Sequence, residues 1–301
     1  MANTQVSMTQ RVCQLPAGYV DASGVLHRQA ELCAMTGREE EILTRSDQVG
    51  AVLVTEVLSR CVKRIGSIEP VTPSVVRQLL IGDRQYLLLM LRQLTFGDGI
   101  QGTLPCPWPG CGQGVDIDFR ISEIPITPCN DVRPSYSLAI ESDALESPLT
   151  IEYRLPNGAD QEAVAPPAGT GAVDSLTVLL SRCLLRVGTL VQPGIDAVAA
   201  LPGAVRLRIE LEMEARAPNL DLTMEACCPA CKRTFIAPFA LQDFFFGELR
   251  ISAELLYREV HYLAFHYHWS EEEILRMPRD RRRRYIDVLS DEIEKLNASV
   301  G

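Results

Sequence analysis

The sequence lacks the segments that direct a chain to a membrane or through one. Residues 1–12 contain no apolar core of a secretory signal. The longest apolar stretch runs from Tyr86 to Leu91 and ends at Arg92, far short of the roughly 20 apolar residues that span a bilayer. We therefore expect a cytoplasmic protein without a membrane span.

Positive charge is also scarce. The 301 residues include 29 lysines and arginines against 39 acidic residues, a net charge of −10. Proteins that neutralise nucleic-acid phosphates or bind anionic membrane surfaces need a surplus of cations, so the composition argues against both. A Gly-rich phosphate loop, a G-x-S-x-G elbow and an H-E-x-x-H motif are absent. The sequence therefore predicts a protein that is not an enzyme and has no small-molecule substrate.

Two cysteine pairs stand out among ten cysteines, too few for a disulfide-rich secreted scaffold. Cys106 and Cys111 form a C-x4-C motif, and Cys228 and Cys231 form a C-x2-C motif. Both spacings are typical of structural zinc ligands, and four thiolates leave no open position on the ion for a substrate. The pairs predict one structural Zn2+ site that resembles the two halves of a zinc ribbon.

The separation of the pairs leaves alternatives open. Cys111 and Cys228 are 117 residues apart, whereas zinc-ribbon spacers are usually about 15–20 residues. The four thiols could instead be buried or redox-inert, and Cys227 is a rival ligand to Cys228.

A nine-residue repeat makes a distant site plausible. Residues 58–66 (LSRCVKRIG) recur as residues 180–188 (LSRCLLRVG), with six identities at an offset of 122. Gly66 and Gly188 each precede the first cysteine of their pair by 40 residues. The preserved distance predicts an internal duplication that could bring both pairs to one ion.

Periodicity predicts an α+β fold in which helices and short strands form two related units. We expect a β-hairpin over residues 11–34, a helix from Val49 to Ile65 ended by Gly66, and a helix near Pro73–Leu94 restarted with Asp83 as its cap. The predicted domains are residues 1–120 with the first cysteine pair, a β-rich connector at 121–172, residues 173–240 with the second pair, and a helical hairpin at 241–301.

The C-terminal hairpin carries the predicted partner-binding residues. Ser270 and Glu273 form a capping box flanked by Trp269 and Ile274 as a hydrophobic staple. The residues that we expect to bind a partner are Trp269, Arg281, Arg282, Arg283, Arg284 and Tyr285. The alternative for the arginine run is a solvated face with ion pairs to Asp280 and Asp287.

Several segments together resemble the T4-type baseplate protein family of contractile phage tails and phage-tail-like injection systems. The matching stretches are GYVD at 18–21, HRQAEL at 27–32, MTGREEE at 35–41, LIGDR at 80–84, TFGD at 95–98 and YRLPNGAD at 153–160. Residues 254–297 resemble a small domain found in the same gene clusters, most specifically through EVHYLAFHYHW at 259–269.

The resemblance implies a structural or assembly component of a baseplate or hub, whose partners are other baseplate, hub or tail-tube proteins. Two alternatives remain open. The first is a transient tail-assembly chaperone that is absent from the mature particle. The second is a zinc-ribbon regulatory protein.

Overall fold

The computed structural model of the protein describes residues 10–45, 50–141, 148–164 and 174–300. Helices and strands are mixed throughout, which confirms the α+β prediction at that level. A first series of elements comprises β1 (Gln10–Val20), β2 (Leu26–Cys33), α1 (Gly37–Arg45), α2 (Ala51–Cys61), β3 (Val62–Ile65), α3 (Pro73–Gln78), α4 (Ile81–Phe96), β4 (Gly99–Pro105) and β5 (Gly114–Arg120). The short strand β6 (Ile126–Thr127) follows.

A second series has nearly the same order. It comprises β7 (Tyr136–Ile140), β8 (Leu149–Tyr153), α5 (Gly158–Val164), α6 (Ser175–Cys183), β9 (Leu184–Val187), β10 (Leu190–Val191), α7 (Ile195–Ala199), α8 (Gly203–Arg216), β11 (Asn219–Leu220), β12 (Thr223–Cys227) and β13 (Thr234–Pro238). Only the two-residue strands β10 and β11 interrupt the order of the first series. Three C-terminal helices follow: α9 (Leu241–Tyr267), α10 (Glu271–Leu275) and α11 (Arg279–Val300).

The two series build sheets of the same strand order. The first sheet is β1-β2-β3, and the second is β7-β8-β9 with β10 added at its edge. Neighbouring strands are antiparallel in both. The predicted hairpin corresponds to β1 and β2, whose turn is held by the Asp21 carboxylate, which accepts the backbone N–H groups of Ser23 and Val25.

Each series has its own apolar core. The first core packs α2 and α4 against β1–β3, and it also takes in Phe239, just before α9, and Phe245 and Phe246 from the first turns of α9. The second core packs α6 and α8 against β7–β9. The chain after β13 therefore packs on the first core rather than on the second.

The helix predicted from Val49 to Ile65 is wrong at its C-terminal end. Val49 lies outside the described residues, and α2 ends at Cys61, where the chain becomes the strand β3. Val62 and Ile65 point into the core and pair with β2, so sheet formation wins over the helical periodicity. The predicted end at Gly66 is a tight turn after β3, with a left-handed φ of 56°.

The prediction that Asp83 caps a helix is also wrong. The chain breaks between α3 and α4 at Leu79 and Leu80, and Asp83 lies inside α4. Its buried carboxylate accepts the backbone N–H groups of Ala17 (2.8 Å) and Gly18 (3.0 Å) from β1. Burial raises the pKa of Asp83 to about 7.

The C-terminal helices dock on α1 through a buried ion pair. Arg282 and Glu40 are 0% and 1% exposed, and the guanidinium donates to Glu40 at 2.8 Å and to Glu259 of α9 at 2.9 Å. The predicted capping box at Ser270 and Glu273 is present at the start of α10. Within the described ranges, no helix has both the length and the apolar character needed to cross a membrane.

Candidate metal centre

Two antiparallel hairpins carry the four predicted metal ligands. One consists of β4 and β5, and the other consists of β12 and β13. Cys106 and Cys111 lie in the loop between β4 and β5, and Cys228 and Cys231 lie in the loop between β12 and β13. Each loop closes a regular ladder, which fixes the direction in which its thiols project.

The backbone of the two loops is similar. The N–H of Cys106 donates to the Gln113 carbonyl at 2.9 Å, and the N–H of Cys228 donates to the Arg233 carbonyl at 3.0 Å. The second loop turns at Lys232, whose φ of 58° is in the left-handed region that favours glycine. These bonds close each loop around its pair of thiols.

The four thiols converge at one point. The Sγ of Cys106 lies 3.8 Å from the Sγ of Cys231, and the Sγ of Cys111 lies 3.7 Å from the Sγ of Cys228. All four sulfurs are within 4.8 Å of one another. A tetrahedral ion with Zn–S bonds of about 2.3 Å requires sulfurs about 3.8 Å apart, so this donor set could hold a metal ion.

The loops also contact each other outside the sulfur cluster. Val115 and Phe235 are buried beside the cysteines. The indole Nε1 of Trp108 donates to the Thr234 carbonyl at 3.2 Å, and the Arg233 guanidinium lies 5.4 Å from the centre of the indole ring. These contacts orient the two hairpins towards each other independently of a metal.

The thiols differ in their acidity. Burial raises the pKa of Cys106 to about 12. The backbone N–H groups of Cys231 and Ala230 lower the pKa of Cys228 to about 7. A metal must therefore displace protons from this cluster, so its binding would weaken as the pH falls.

The structure favours Cys228 over Cys227 as a metal ligand. Cys228 is buried in the cluster, whereas Cys227 is exposed at the end of β12. The other cysteines stand apart from the cluster, and those that are buried are Cys13, Cys61, Cys129 and Cys183.

The predicted partner-binding aromatic residues contact each other. Trp269 stacks on Tyr267 at a ring distance of 4.7 Å and meets the edge of Tyr285 at 4.8 Å. Both Trp269 and Tyr285 are half-buried. They hold the turn after α9 against α11, and each keeps part of its ring at the surface.

Of the four arginines at 281–284, one is buried and three are exposed. Arg282 is enclosed by its two glutamates and is not part of the exposed surface. Arg281, Arg283 and Arg284 are exposed, and Arg281 lies over the ring of Tyr285 at 6.0 Å. The sequence does not distinguish Arg282 from its neighbours, because its partner Glu40 is 242 residues away.

A further buried ion pair, around Asp160, was not predicted. Asp160 is fully buried and accepts from Arg154 at 2.6 Å and from Arg182 at 2.9 Å. Arg182 belongs to the repeated nonamer and Asp160 to the stretch NGAD, so both lie in segments that the sequence marks for other reasons. The first copy differs here, since Arg60 binds Glu56 within its own helix.

Residues 10–246, well over half of the chain, match the family described as T4 bacteriophage base plate protein. Residues 250–300 match a family of unknown function, DUF6760. The boundary between the two matches falls inside α9. No curated protein and no solved structure matches the chain significantly.

Proposed function

Because the chain belongs to the T4 bacteriophage base plate protein family, we propose that it is a non-enzymatic structural or assembly component of the baseplate or hub of a contractile, phage-tail-like injection system. The family match across residues 10–246 is the observation that carries this proposal. The metal centre is compatible with it, since four cysteine ligands leave no position for a substrate.

We further propose that the four cysteines bind one structural Zn2+. The support is the distance between the sulfurs, the all-thiolate donor set and the presentation of the ligands by two hairpin loops. The ion would join a hairpin of the first series to a hairpin of the second series. Its contribution would be to stability rather than to catalysis.

The two series are, on this proposal, copies of one duplicated unit. Arg84 donates to the Thr55 hydroxyl at 2.8 Å, and Arg206 donates to the Thr177 hydroxyl at 3.2 Å, each pair related by the offset of 122. Gly66 and Gly188, at the ends of the repeated nonamer, have φ of 56° and 57°. On this proposal the boundaries at 120 and 240 are kept, whereas β7, β8 and α5, which lie in the predicted connector at 121–172, belong to the second copy because β7 and β8 share its sheet and core.

The proposed partners are other baseplate, hub or tail-tube proteins, met in the cytoplasm during assembly. Arg281, Arg283 and Arg284 expose their charges on α11, and Trp269 and Tyr285 expose part of their rings. These five residues form the proposed partner surface of the C-terminal helices. No role in binding nucleic acid, a membrane or a small molecule is proposed.

Purified particles and the isolated protein test these proposals together. We expect one zinc per chain in the protein, stoichiometric peptides of the chain in particles, and defective particles when the gene is deleted. Zinc-free protein would overturn the metal proposal, and normal particles after deletion would overturn the baseplate role. Assembly defects without the chain in finished particles would identify a chaperone. Retardation of DNA at physiological salt would favour a zinc-ribbon regulator.

A further inference from the structure

The first and second series contact each other where the start of one helix packs against the break between two other helices. The start of α5, at Asn157 and Gly158, lies against the break between α3 and α4. The N–H of Gly158 donates to the Leu79 carbonyl at 3.0 Å, and Asn157 forms an antiparallel bridge with Leu80. We call the break a receiving segment and the start of α5 its helix start.

The same contact joins the first series to the C-terminal helices. Here the helix start is that of α1, at Thr36 and Gly37, and the receiving segment is the break between α10 and α11. The N–H of Gly37 donates to the Met277 carbonyl at 3.4 Å, and Thr36 forms an antiparallel bridge with Pro278. Two unrelated parts of the chain thus receive a helix start in the same way.

A buried arginine lies against the glycine of each helix start. Arg84 and Arg282 each lie four residues after the bridging residue of their receiving segment, and both are buried. A Cβ at Gly158 would lie 2.2 Å from Nη1 of Arg84, and a Cβ at Gly37 would lie 3.1 Å from Nη1 of Arg282. The guanidinium of Arg84 thus leaves no room for a side chain at Gly158, whereas at Gly37 the space is limited by Leu275, whose Cα would lie 3.0 Å from the Cβ, together with Arg282.

Each helix start also carries an acid at a fixed position. The Glu39 carboxylate accepts the N–H of Thr36 at 2.9 Å, and the Asp160 carboxylate accepts the N–H of Asn157 at 3.0 Å. The two helix starts therefore share the pattern Thr/Asn-Gly-x-Glu/Asp. The capping carboxylate fixes the bend from which the glycine N–H projects.

A third receiving segment is present in the second series, at the break between α7 and α8. Leu201 and Pro202 take the places of Leu79 and Leu80, and Arg206 follows Pro202 by four residues. The N–H of Arg206 donates to the Pro202 carbonyl at 3.1 Å, the same bond that Arg84 makes to Leu80.

This third segment is open. In the part of the chain that the structure describes, no helix start bridges to Leu201 or Pro202. Leu201 is half-buried and Pro202 is exposed, whereas the corresponding Leu79 and Leu80 are buried and half-buried beneath the start of α5; Ala204, in the first turn of α8, is exposed as well. Further along α8, Leu211 is 48% exposed, whereas the corresponding Leu89 of α4 is 0% exposed.

We propose that Leu201, Pro202 and the first turns of α8 receive a helix start of the form Thr/Asn-Gly-x-Glu/Asp from another baseplate subunit. The inference rests on the proposed duplication and baseplate role. The charges are complementary, because the known helix starts are acidic and α8 presents Arg206 and Arg208 beside the segment. A second copy of this chain is not the occupant, since both of its own helix starts are already bound internally.

Photo-cross-linking in cells that express the complete gene cluster tests the proposal. The variants Pro202→p-benzoylphenylalanine and Ala204→p-benzoylphenylalanine place the photoreactive group in the segment. Val25→p-benzoylphenylalanine, at a 51% exposed position in the β1–β2 turn, is the matched control. We expect cross-links from positions 202 and 204 to one other subunit, at a peptide that contains the Thr/Asn-Gly-x-Glu/Asp pattern.

A blocking substitution makes the result specific. Ala204→Arg, added to the Pro202 photoreactive variant, should reduce that cross-link at least ten-fold, whereas Val25→Arg in the same background should leave it unchanged. Unchanged zinc content and melting temperature would establish that both variants fold. The proposal is overturned if positions 202 and 204 give no cross-link to another chain, or if the captured peptide lacks the pattern. Failure of the baseplate role would instead appear as normal particles after gene deletion.

Discussion

The last long helices of the two series differ in how completely they are covered. In α4, every residue from Leu87 to Leu91 is buried, because β1 packs on one side and α9 on another. In α8, Ile209 and Met213 are buried, but Leu207 and Leu211 are 54% and 48% exposed. The helices α4 and α8 hold the same place in the two series but are covered by neighbouring elements to different extents. The first unit is enclosed by later parts of the chain, and the second retains an apolar face that the described chain does not cover.

Removing one thiol of the four-cysteine cluster between the two units should have the largest effect on stability. We expect Cys231→Ser to lose the metal and to lower the free energy of unfolding by on the order of 5 kcal/mol, since structural zinc supplies about 10 kcal/mol or more in small zinc peptides. Metal analysis and thermal melting measure both. Cys227→Ser changes an exposed thiol beside the cluster and should behave like the parent protein. Full metal content in Cys231→Ser would contradict a four-thiolate site.

Breaking the buried ion pair between Arg282 and Glu40 should have the second-largest effect on stability. Arg282→Met removes the guanidinium that donates to the buried Glu40 and to Glu259, so we expect a loss of about 3–5 kcal/mol in urea unfolding. Arg281→Met removes the exposed neighbouring guanidinium and should change stability by less than about 0.5 kcal/mol. Similar losses in both variants would mean that the charge of the run, rather than the buried pair, supplies the stability.

The corresponding arginines of the two units allow a direct comparison. Arg84 is 1% exposed and donates to Thr55 and to the carbonyls of Ala51 and Val76. Arg84→Met should therefore cost about 3 kcal/mol, because several buried acceptors lose their donor. Arg206→Met loses one bond at a half-buried site and should cost about 1 kcal/mol. Equal losses would mean that the two units are equally enclosed.

The smallest expected difference between the two units is in how their stability depends on pH. Asp83 has a pKa of about 7 in the folded chain, above its ordinary 3.8, and Val205 occupies the corresponding position in the second unit. The folded state therefore holds a proton between about pH 4 and pH 7 that the unfolded state has released. The free energy of unfolding should fall as the pH rises through this range. Asp83→Asn should flatten that part of the pH profile, and an unchanged slope would contradict the assignment.

The two cysteine loops could be predicted from the sequence because the spacing of each pair is local. Each pair of thiols needs only a short loop, and a hairpin supplies one on either side of Cys106–Cys111 and Cys228–Cys231. The strands β5, β7 and β8 were also predictable, since apolar and polar residues alternate along their sequences. The repeat supplied the long-range information that a single loop cannot.

The errors have a common physical cause. Val62–Ile65 fits a helical stripe as well as a strand, and only pairing with β2 decides between them. Asp83 has the ordinary sequence signature of a cap, but the backbone of β1 provides better donors. Which of four arginines is buried depends on contacts with Glu40 and Glu259, far away in sequence. Local patterns predict elements and loops, whereas their partners are chosen by tertiary packing.

The position of the cysteines also determines how the molecule would carry a mechanical load. The chain between Cys111 and Cys228 contains β7 to β12, so both ends of this segment would meet at the proposed metal ion. Tension along the chain between the two cysteine loops would pass across the metal–sulfur bonds and bypass the segment that lies between them. Such a pull would leave the fold and the contacts of the second unit unloaded.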